Sequence, residues 1–195
     1  MASSDIDAEA RAEVADAVRE ALAKHGYERL TTAKIADEYE KSEAGLYYYF
    51  DSKDEMIAAF LDEAATYLSE DLLAVESDDP EAALREACDC LFRSPDDPYA
   101  GVYVGIMELL SHAPYNETLR APLLELESVI LESLTDIVAA GVEQGVFRPV
   151  EPRATAAFLL AAADGTTGFY VALEMDVHED LQAGLSAYID SLLTE

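Results

Sequence analysis

Basic residues are scarce in this chain of 195 residues, which holds 12 Lys and Arg against 41 Asp and Glu and has a formal net charge of −29. Such a chain repels DNA at low salt. Two interpretations compete: the protein never meets nucleic acid, or it works in a cytosol so salty that the repulsion is screened within a few ångströms. Because the acidity is spread along the whole chain and the apolar pattern is intact, we favour the second, a protein of a halophilic organism.

Cysteines are almost as scarce. Cys88 and Cys90 are the two in the chain, and positions i and i+2 of a helical pattern point to different faces. We therefore expect both to be reduced and structural. A C-x-C metal site is the alternative, but no second cluster of Cys or His is present to complete a tetrahedron. The sequence predicts neither a metal nor a cofactor.

Long apolar runs are missing as well. No run approaches the roughly 18 residues that a bilayer crossing needs. The N-terminal segment, MASSDIDAEA, is acidic and lacks the basic and apolar regions of a signal peptide. These features predict a cytoplasmic protein with no membrane partner.

Recognisable catalytic arrangements are absent too. The three histidines are dispersed, and neither a G-x-S-x-G motif nor a Gly-rich phosphate loop occurs. The many carboxylates are explained by a solvated acidic surface. We predict no catalytic residue and no enzyme activity, the alternative being an enzyme whose constellation is not among the known motifs.

Apolar residues recur at helical spacing along the whole chain, which predicts an all-α fold of about nine helices. The first helix spans roughly 7–24, with Val14, Val18, Ala21 and Leu22 forming one buried stripe, and Gly26 ends it. Asp79 caps a helix that has Pro80 at its first position. Further helices are predicted over about 80–93, 98–111, 116–144 and 153–174, followed by one last helix.

Residues 31–53 carry the most informative pattern, two short helices separated by a polar turn. Thr32 can cap the first helix and Ser42 the second. The second helix places Leu46, Tyr49 and Phe50 on one apolar face. Its other face is left for a DNA groove or its phosphates, as in a helix-turn-helix.

The skeleton of this segment resembles the N-terminal signature of TetR-type transcriptional repressors. The matching residues are Gly26, Tyr27, Thr32, Ile35, Ala36, Ser42, Leu46, Tyr47, Tyr49, Phe50, Ser52 and Lys53. The resemblance implies a helix-turn-helix DNA-binding domain of three helices at 1–52 and a helical ligand-binding and dimerisation domain at 53–195. The sequence departs from the family at Tyr39 and Glu40, where a small residue and glycine are usual, and at Glu43, where a basic residue is usual.

Candidate phosphate contacts come from hydroxyl and basic residues of this domain: Thr32, Lys34, Lys41, Ser42, Tyr47, Tyr48 and Lys53. The tyrosines and Lys53 match family positions that hold the DNA backbone. All four lysines fall within the first 53 residues, although so small a number also allows chance placement.

Three residues face the base edges by their position in the second helix. Glu43 could accept a hydrogen bond from a cytosine N4, and Ala44 could touch a thymine methyl group, whereas Gly45 offers only close approach.

The C-terminal part suggests a pocket and an interface. The resemblance implies a cavity among the middle helices that could hold a hydrophobic effector. The residues that could line this cavity, unless they simply form the core, are Phe92, Tyr103, Met107, Leu110, His112, Phe169 and Tyr170. The last two helices hold small residues that would let a partner helix approach, or would simply pack internally: Ala161, Ala162, Ala163, Gly165 and Gly168.

Together these features predict a ligand-responsive repressor that binds a near-palindromic operator in double-stranded DNA as a homodimer, joined through its last two helices. The alternative is a ligand-binding or scaffolding dimer of the same fold that has lost DNA binding. Glu40, Glu43 and the net charge recommend that alternative.

Overall fold

The computed structural model describes residues 8–39, 42–73, 79–92 and 100–194. These residues form nine α-helices, a short 3-10 turn at Ala113–Tyr115, a π-helical segment at Thr167–Ala172 and no strand beyond one isolated bridge. The all-α prediction is confirmed. The helices are α1 Ala8–Arg29, α2 Thr32–Glu38, α3 Glu43–Tyr49, α4 Lys53–Leu73, α5 Pro80–Leu91, α6 Ala100–His112, α7 Glu117–Glu143, α8 Pro152–Thr166 and α9 His178–Asp190.

The chain divides into two compact units. Unit 1 comprises Met1–Thr66 and Gly101–Leu126, and unit 2 comprises Tyr67–Ala100 and Glu127–Glu195. The predicted functional boundary between residues 52 and 53 stays a prediction. Among the described residues, no helix combines the length and apolarity that a bilayer crossing requires.

Helix α1 begins unit 1 and is interrupted at Gly26, followed by a short helical stretch. Val14, Val18 and Leu22 are fully buried, as the apolar stripe predicts. Gly26 interrupts the helical conformation with φ 66° and ψ 166°, as the sequence predicts, and a second short helical stretch follows as far as Arg29. The positive φ is the reason that glycine suits this position.

Helices α2 and α3 form the two short helices of the predicted motif. Thr31, and not Thr32, is the N-cap of α2, because its hydroxyl accepts from the backbone N–H of Lys34 at 3.3 Å. The prediction that Thr32 caps this helix is wrong, and Thr32 is its first helical residue. Ser42 caps α3 as predicted, accepting from the backbone N–H of Gly45 at 3.2 Å.

Two interlocking hydrogen bonds mark the start of α4. The Ser52 hydroxyl accepts from the backbone N–H of Glu55 at 3.2 Å, and the Glu55 carboxylate accepts from the backbone N–H of Asp51 at 2.8 Å. Ser52 and Glu55 thus satisfy two backbone amide groups at the start of the helix, in the manner of a capping box.

Helix α6 packs closely on α1 within unit 1. A Cβ added to Gly101 would lie 2.4 Å from the backbone oxygen of Ala23, and one added to Gly105 would lie 2.5 Å from the Leu22 side chain. Both glycines are therefore needed for this close approach. The predicted start of the helix at 98 lies outside the described residues, and the helix ends at His112.

Unit 2 has its own hydrophobic core, built from α5, α7, α8 and α9. The buried residues include Leu84, Leu134, Phe147, Leu159 and Ile189. Full burial of each large apolar side chain contributes about 1.5–3 kcal/mol relative to exposure.

The last part of α8 departs from the sequence prediction. The sequence predicts a helix as far as about residue 174, but regular α-helix ends at Thr166 and a π-helical segment follows to Ala172.

Asp79 caps α5 as predicted by accepting from the backbone N–H of Glu81 at 3.1 Å, with Pro80 at the first helical position.

Candidate nucleic-acid interface

Helix α3 presents one buried face and one exposed face. Leu46 is fully buried and Phe50, just after the helix, is nearly so, which anchors the helix in unit 1. Tyr47 and Tyr48 lie on the exposed side with 50% and 82% of their surface accessible. Glu43 and Ala44 are exposed as well, and Gly45 is partly exposed. The structure thus places the predicted contact residues of α3 on an accessible surface.

A chain of hydrogen bonds ties the start of α2 to α3. The Tyr47 hydroxyl donates to the Thr32 hydroxyl oxygen at 3.2 Å. The Thr32 hydroxyl is in turn 2.5 Å from Oε1 of Glu43 and donates to it. Three of the residues predicted to meet DNA are therefore brought together, and they contact one another in the free protein.

The predicted phosphate-binding lysines contact carbonyl oxygens at the end of α1. Lys34 Nζ donates to the Arg29 carbonyl at 2.6 Å, and Lys53 Nζ donates to the Leu30 carbonyl at 3.3 Å. Lys53 also lies over the Tyr27 ring, 4.2 Å from its centroid. Positive charge at a helix C-terminus is favourable, so both amines stabilise the free domain.

Of the other two lysines, the structure describes Lys24 but not Lys41. Lys24 pairs with Glu38 at 2.6 Å, a contact that raises the pKa of the Lys24 ammonium. Lys41 lies outside the described residues, as does Glu40. Each lysine whose position is described is therefore engaged within unit 1. An ammonium group has three protons, so Lys34 and Lys53 can also donate to a phosphate while they keep these carbonyl contacts.

Glu108 supports this domain in a way that the sequence did not reveal. Its carboxylate on α6 accepts from the backbone N–H of Tyr27 at 2.5 Å and from that of Glu28 at 3.3 Å, immediately after the break at Gly26. A carboxylate about 80 residues away in sequence thus satisfies amide groups that the break leaves without helical partners. The sequence signal for such an acceptor is the Gly26-Tyr27 pair, because a helix break there leaves backbone amides without helical partners.

His112 and Asn116 extend this support around Tyr27. The His112 ring lies 4.7 Å from the Tyr27 ring, and its Nε2 is 3.0 Å from the Glu28 carboxylate. Asn116 donates to Asp54 at 2.8 Å. Burial, followed by the nearby Asp54 charge, raises the pKa of the Tyr27 hydroxyl, so this ring stays neutral and structural at ordinary pH.

The residues proposed to line a pocket fall into different parts of the chain. Within unit 1, α6 carries Tyr103, Met107, Leu110 and His112, all partly buried. In unit 2, Phe92 is buried at the end of α5, and Phe169 is exposed in the π-helical segment. The Tyr170 side chain lies outside the described part of the chain. The pocket itself stays a prediction.

Burial raises the pKa of titratable side chains in unit 2. Burial, reinforced by the negative charge of Asp164, raises the pKa of Glu127 to about 7. Burial likewise raises the pKa of the Cys88 thiol to about 12, so this cysteine is a poor nucleophile and a structural residue. The described residues hold no group of three or more potential metal ligands.

Comparison with known proteins identifies two family models that together span most of the chain. Residues 14–60 match the model for bacterial regulatory proteins of the tetR family. Residues 80–194 match the model for the C-terminal domain of the BetI-type transcriptional repressor. The chain is also 31% identical over 163 residues to the HTH-type transcriptional regulator YfiR of Bacillus subtilis, which covers 80% of the chain and 77% of YfiR.

Solved structures show the same architecture. A TetR transcription regulator from Haloarcula marismortui is 33% identical and superposes with a TM-score of 0.83, covering 94% of this chain and 98% of the other. A transcriptional regulator from Saccharomonospora viridis, solved in complex with choline, has a TM-score of 0.84 over 97% of this chain and 100% of the other. At 19% identity, the second likeness shows the fold alone.

Proposed function

This chain belongs to the TetR family of transcriptional regulators, and we propose that it is a ligand-responsive repressor that binds a near-palindromic operator as a homodimer. The relatives are regulators and not enzymes. In this proposal residues 1–52 contact DNA and residues 53–195 bind the effector and the partner subunit.

The exposed side of α3 is the observation that carries the DNA-binding role. Tyr47 and Tyr48 project from a helix that Leu46 fixes in the core, and Ala44 and Gly45 leave room beside them. A short helix with a buried anchor and an exposed side of this kind fits a major groove, with tyrosine hydroxyls within reach of phosphates.

High salt reconciles this role with the charge of −29. At molar salt the Debye length is about 3 Å, so repulsion between the acidic surface and DNA is confined to near contacts. The 33% identical regulator from Haloarcula marismortui supports a halophilic origin, which we propose together with the function.

The proposed dimer interface lies on α8 and α9 of unit 2. Phe158 is 55% exposed on α8, and its ring lies 4.9 Å from the Tyr188 ring of α9, so an aromatic pair lies at the surface. Small exposed residues accompany it on the same two helices, among them Ala157, Ala161, Ala183, Gly184 and Ala187. A second copy could approach these residues closely and bury the aromatic pair.

The proposed effector is a small, mainly hydrophobic molecule. Its support is the apolar and aromatic character of the residues suggested as lining and the scarcity of basic residues, of which only five follow residue 60. A highly anionic effector would need arginine partners. In the proposed mechanism the effector favours a dimer whose two α3 helices no longer match the half-site spacing.

Fluorescence anisotropy tests the function. The purified full-length protein is titrated onto labelled duplex from its own upstream DNA, and onto a shuffled duplex of equal length, from about 0.2 to about 3 M KCl. We expect a preference for the upstream DNA that persists at molar salt. Equal affinity for both duplexes at every salt concentration would refute DNA recognition and favour the scaffolding dimer.

A further inference from the structure

We propose that Glu43 is an internal competitor of DNA: its carboxylate occupies the Thr32 hydroxyl in the free protein, and a phosphate oxygen must displace it on binding. This inference rests on the proposed DNA-binding role and concerns one step of it. Glu43 then lowers the affinity of the regulator for DNA, because it keeps the Thr32 hydroxyl in an internal hydrogen bond.

The hydrogen-bond geometry makes the two states mutually exclusive. A threonine hydroxyl has one proton, and Thr32 donates it to Glu43 Oε1 at 2.5 Å. Donation to a phosphate oxygen therefore requires the carboxylate to leave. The lone pairs of the same hydroxyl accept from Tyr47 at 3.2 Å, a bond that can persist in both states.

Charge reinforces this exclusion. A bond from a hydroxyl to an ionised carboxylate is charge-assisted and stronger than a neutral one, so its loss opposes binding. A phosphate next to Thr32 would also stand close to the Glu43 carboxylate, and two anions at such a distance repel each other. The carboxylate must therefore swing away from Thr32 when the phosphate arrives.

The position of α3 has other supports besides this carboxylate. Ser42 provides the cap by accepting from Gly45, and Leu46 provides the buried anchor. Glu43 itself is exposed. Its replacement by glutamine therefore leaves the helix in place and removes the charge that holds the Thr32 proton.

A double-mutant cycle separates competition at Thr32 from a general charge effect. The variants are Glu43→Gln, Thr32→Val and their combination, with Asp37→Asn as a matched control. Asp37 is exposed on α2, so its substitution removes one negative charge from the same small domain without touching Thr32. Anisotropy on the upstream duplex in about 0.5 M KCl gives the affinities, and circular dichroism checks that each variant is folded.

We expect Glu43→Gln to tighten binding about tenfold when Thr32 is present, and only about twofold in the Thr32→Val background. The effect of Asp37→Asn should be the same in both backgrounds. Thr32→Ser keeps a hydroxyl, so in this background the Glu43→Gln substitution should still give most of its gain in affinity. This variant keeps the cycle interpretable even if valine perturbs α2.

The two proposals fail in different ways. If the wild-type protein prefers the upstream duplex but the Glu43→Gln gain is equal in the wild-type and Thr32→Val backgrounds, competition at Thr32 is wrong and DNA binding stands. If neither the wild-type protein nor any variant prefers the upstream duplex, the DNA-binding function fails and this inference fails with it.

Discussion

Two partly buried glutamates, one in each unit, have opposite surroundings. Glu108 in unit 1 accepts hydrogen bonds from the backbone amides of Tyr27 and Glu28. Glu127 in unit 2 lies near the negative charge of Asp164, and the described part of the chain provides it with no hydrogen-bond donor. The same type of side chain thus accepts structural hydrogen bonds in one unit, whereas its ionised form is unfavourable in the other.

The difference shows how this acidic chain uses burial. In unit 1 the ionised carboxylate completes the hydrogen bonding of a broken helix, so charge and structure support each other. In unit 2 burial and a like charge both favour the neutral carboxylic acid, with the pKa raised to about 7. Unit 1 should therefore need its glutamate, whereas unit 2 should gain from losing the charge.

Removal of the Glu108 carboxylate has the largest expected effect. Glu108→Ala leaves two amides near the Gly26 break without their acceptor, which should lower the free energy of unfolding by about 3 kcal/mol. Urea unfolding in about 2 M KCl, followed by circular dichroism, measures the loss.

Glu108→Gln is the matched variant for this prediction. Its amide oxygen can still accept from the Tyr27 amide, so we expect a loss of only about 1 kcal/mol. No loss with alanine would show that the two hydrogen bonds contribute little. Equal losses for alanine and glutamine would show that the amide oxygen does not replace the carboxylate.

Glu127→Gln should stabilise the protein, by about 1 kcal/mol at about pH 8, after allowance for the partial solvent exposure of this group. The folded-state pKa of about 7 lies above the ordinary value of 4.5. The stability associated with the protonated form is therefore fully present below about pH 4.5 and is lost as the pH rises through about 7. The gain from glutamine should accordingly vanish at about pH 5.

Thermal unfolding of both proteins between about pH 5 and about pH 8 measures this gain. Glu125→Gln, at an exposed position of the same helix, serves as the control and should show no such pH dependence. A Glu127→Gln variant less stable than the wild-type protein at the upper end of this range would mean that an ionised Glu127 makes a favourable contact.

Tyr48→Ala should have the smallest effect, a loss of DNA affinity of about fivefold that is similar for different operator sequences. Tyr48 is exposed on α3, where a phosphate contact is proposed. Tyr115→Ala removes another highly exposed tyrosine, outside the helix-turn-helix, and should leave affinity unchanged. Equal losses for both tyrosines would remove the special role of α3.

Local signals in the sequence are sufficient for much of the fold. The spacing of Val14, Val18 and Leu22 identifies α1, and Ser42 and Asp79 mark helix starts through their side-chain oxygens. Thr31 and Thr32 show the limit of such signals. Both hydroxyls suit an N-cap, and only the backbone conformation decides that Thr31 takes this position.

Long-range partners could not be predicted in the same way. Glu108 is one of many glutamates, and nothing beside it in the sequence marks it as the acceptor for amides near Gly26. The charge of Lys34 and Lys53 predicts contacts with DNA, but the carbonyl oxygens at the end of α1 attract the same charge. The predicted contact residues of α3 are on an accessible surface, while their role with DNA stays a prediction.

The salt dependence of operator binding tests most directly the claim that this regulator recognises DNA with hydroxyl groups and few cations. Each phosphate neutralised by a basic side chain contributes a slope of about −0.9 to log affinity against log KCl concentration. Between about 0.5 and about 2 M KCl we predict that the slope of log affinity against log KCl concentration is shallower than about −2, and that the preference for the operator is retained. A slope of about −5 or steeper, or no preference for the operator, would contradict the account.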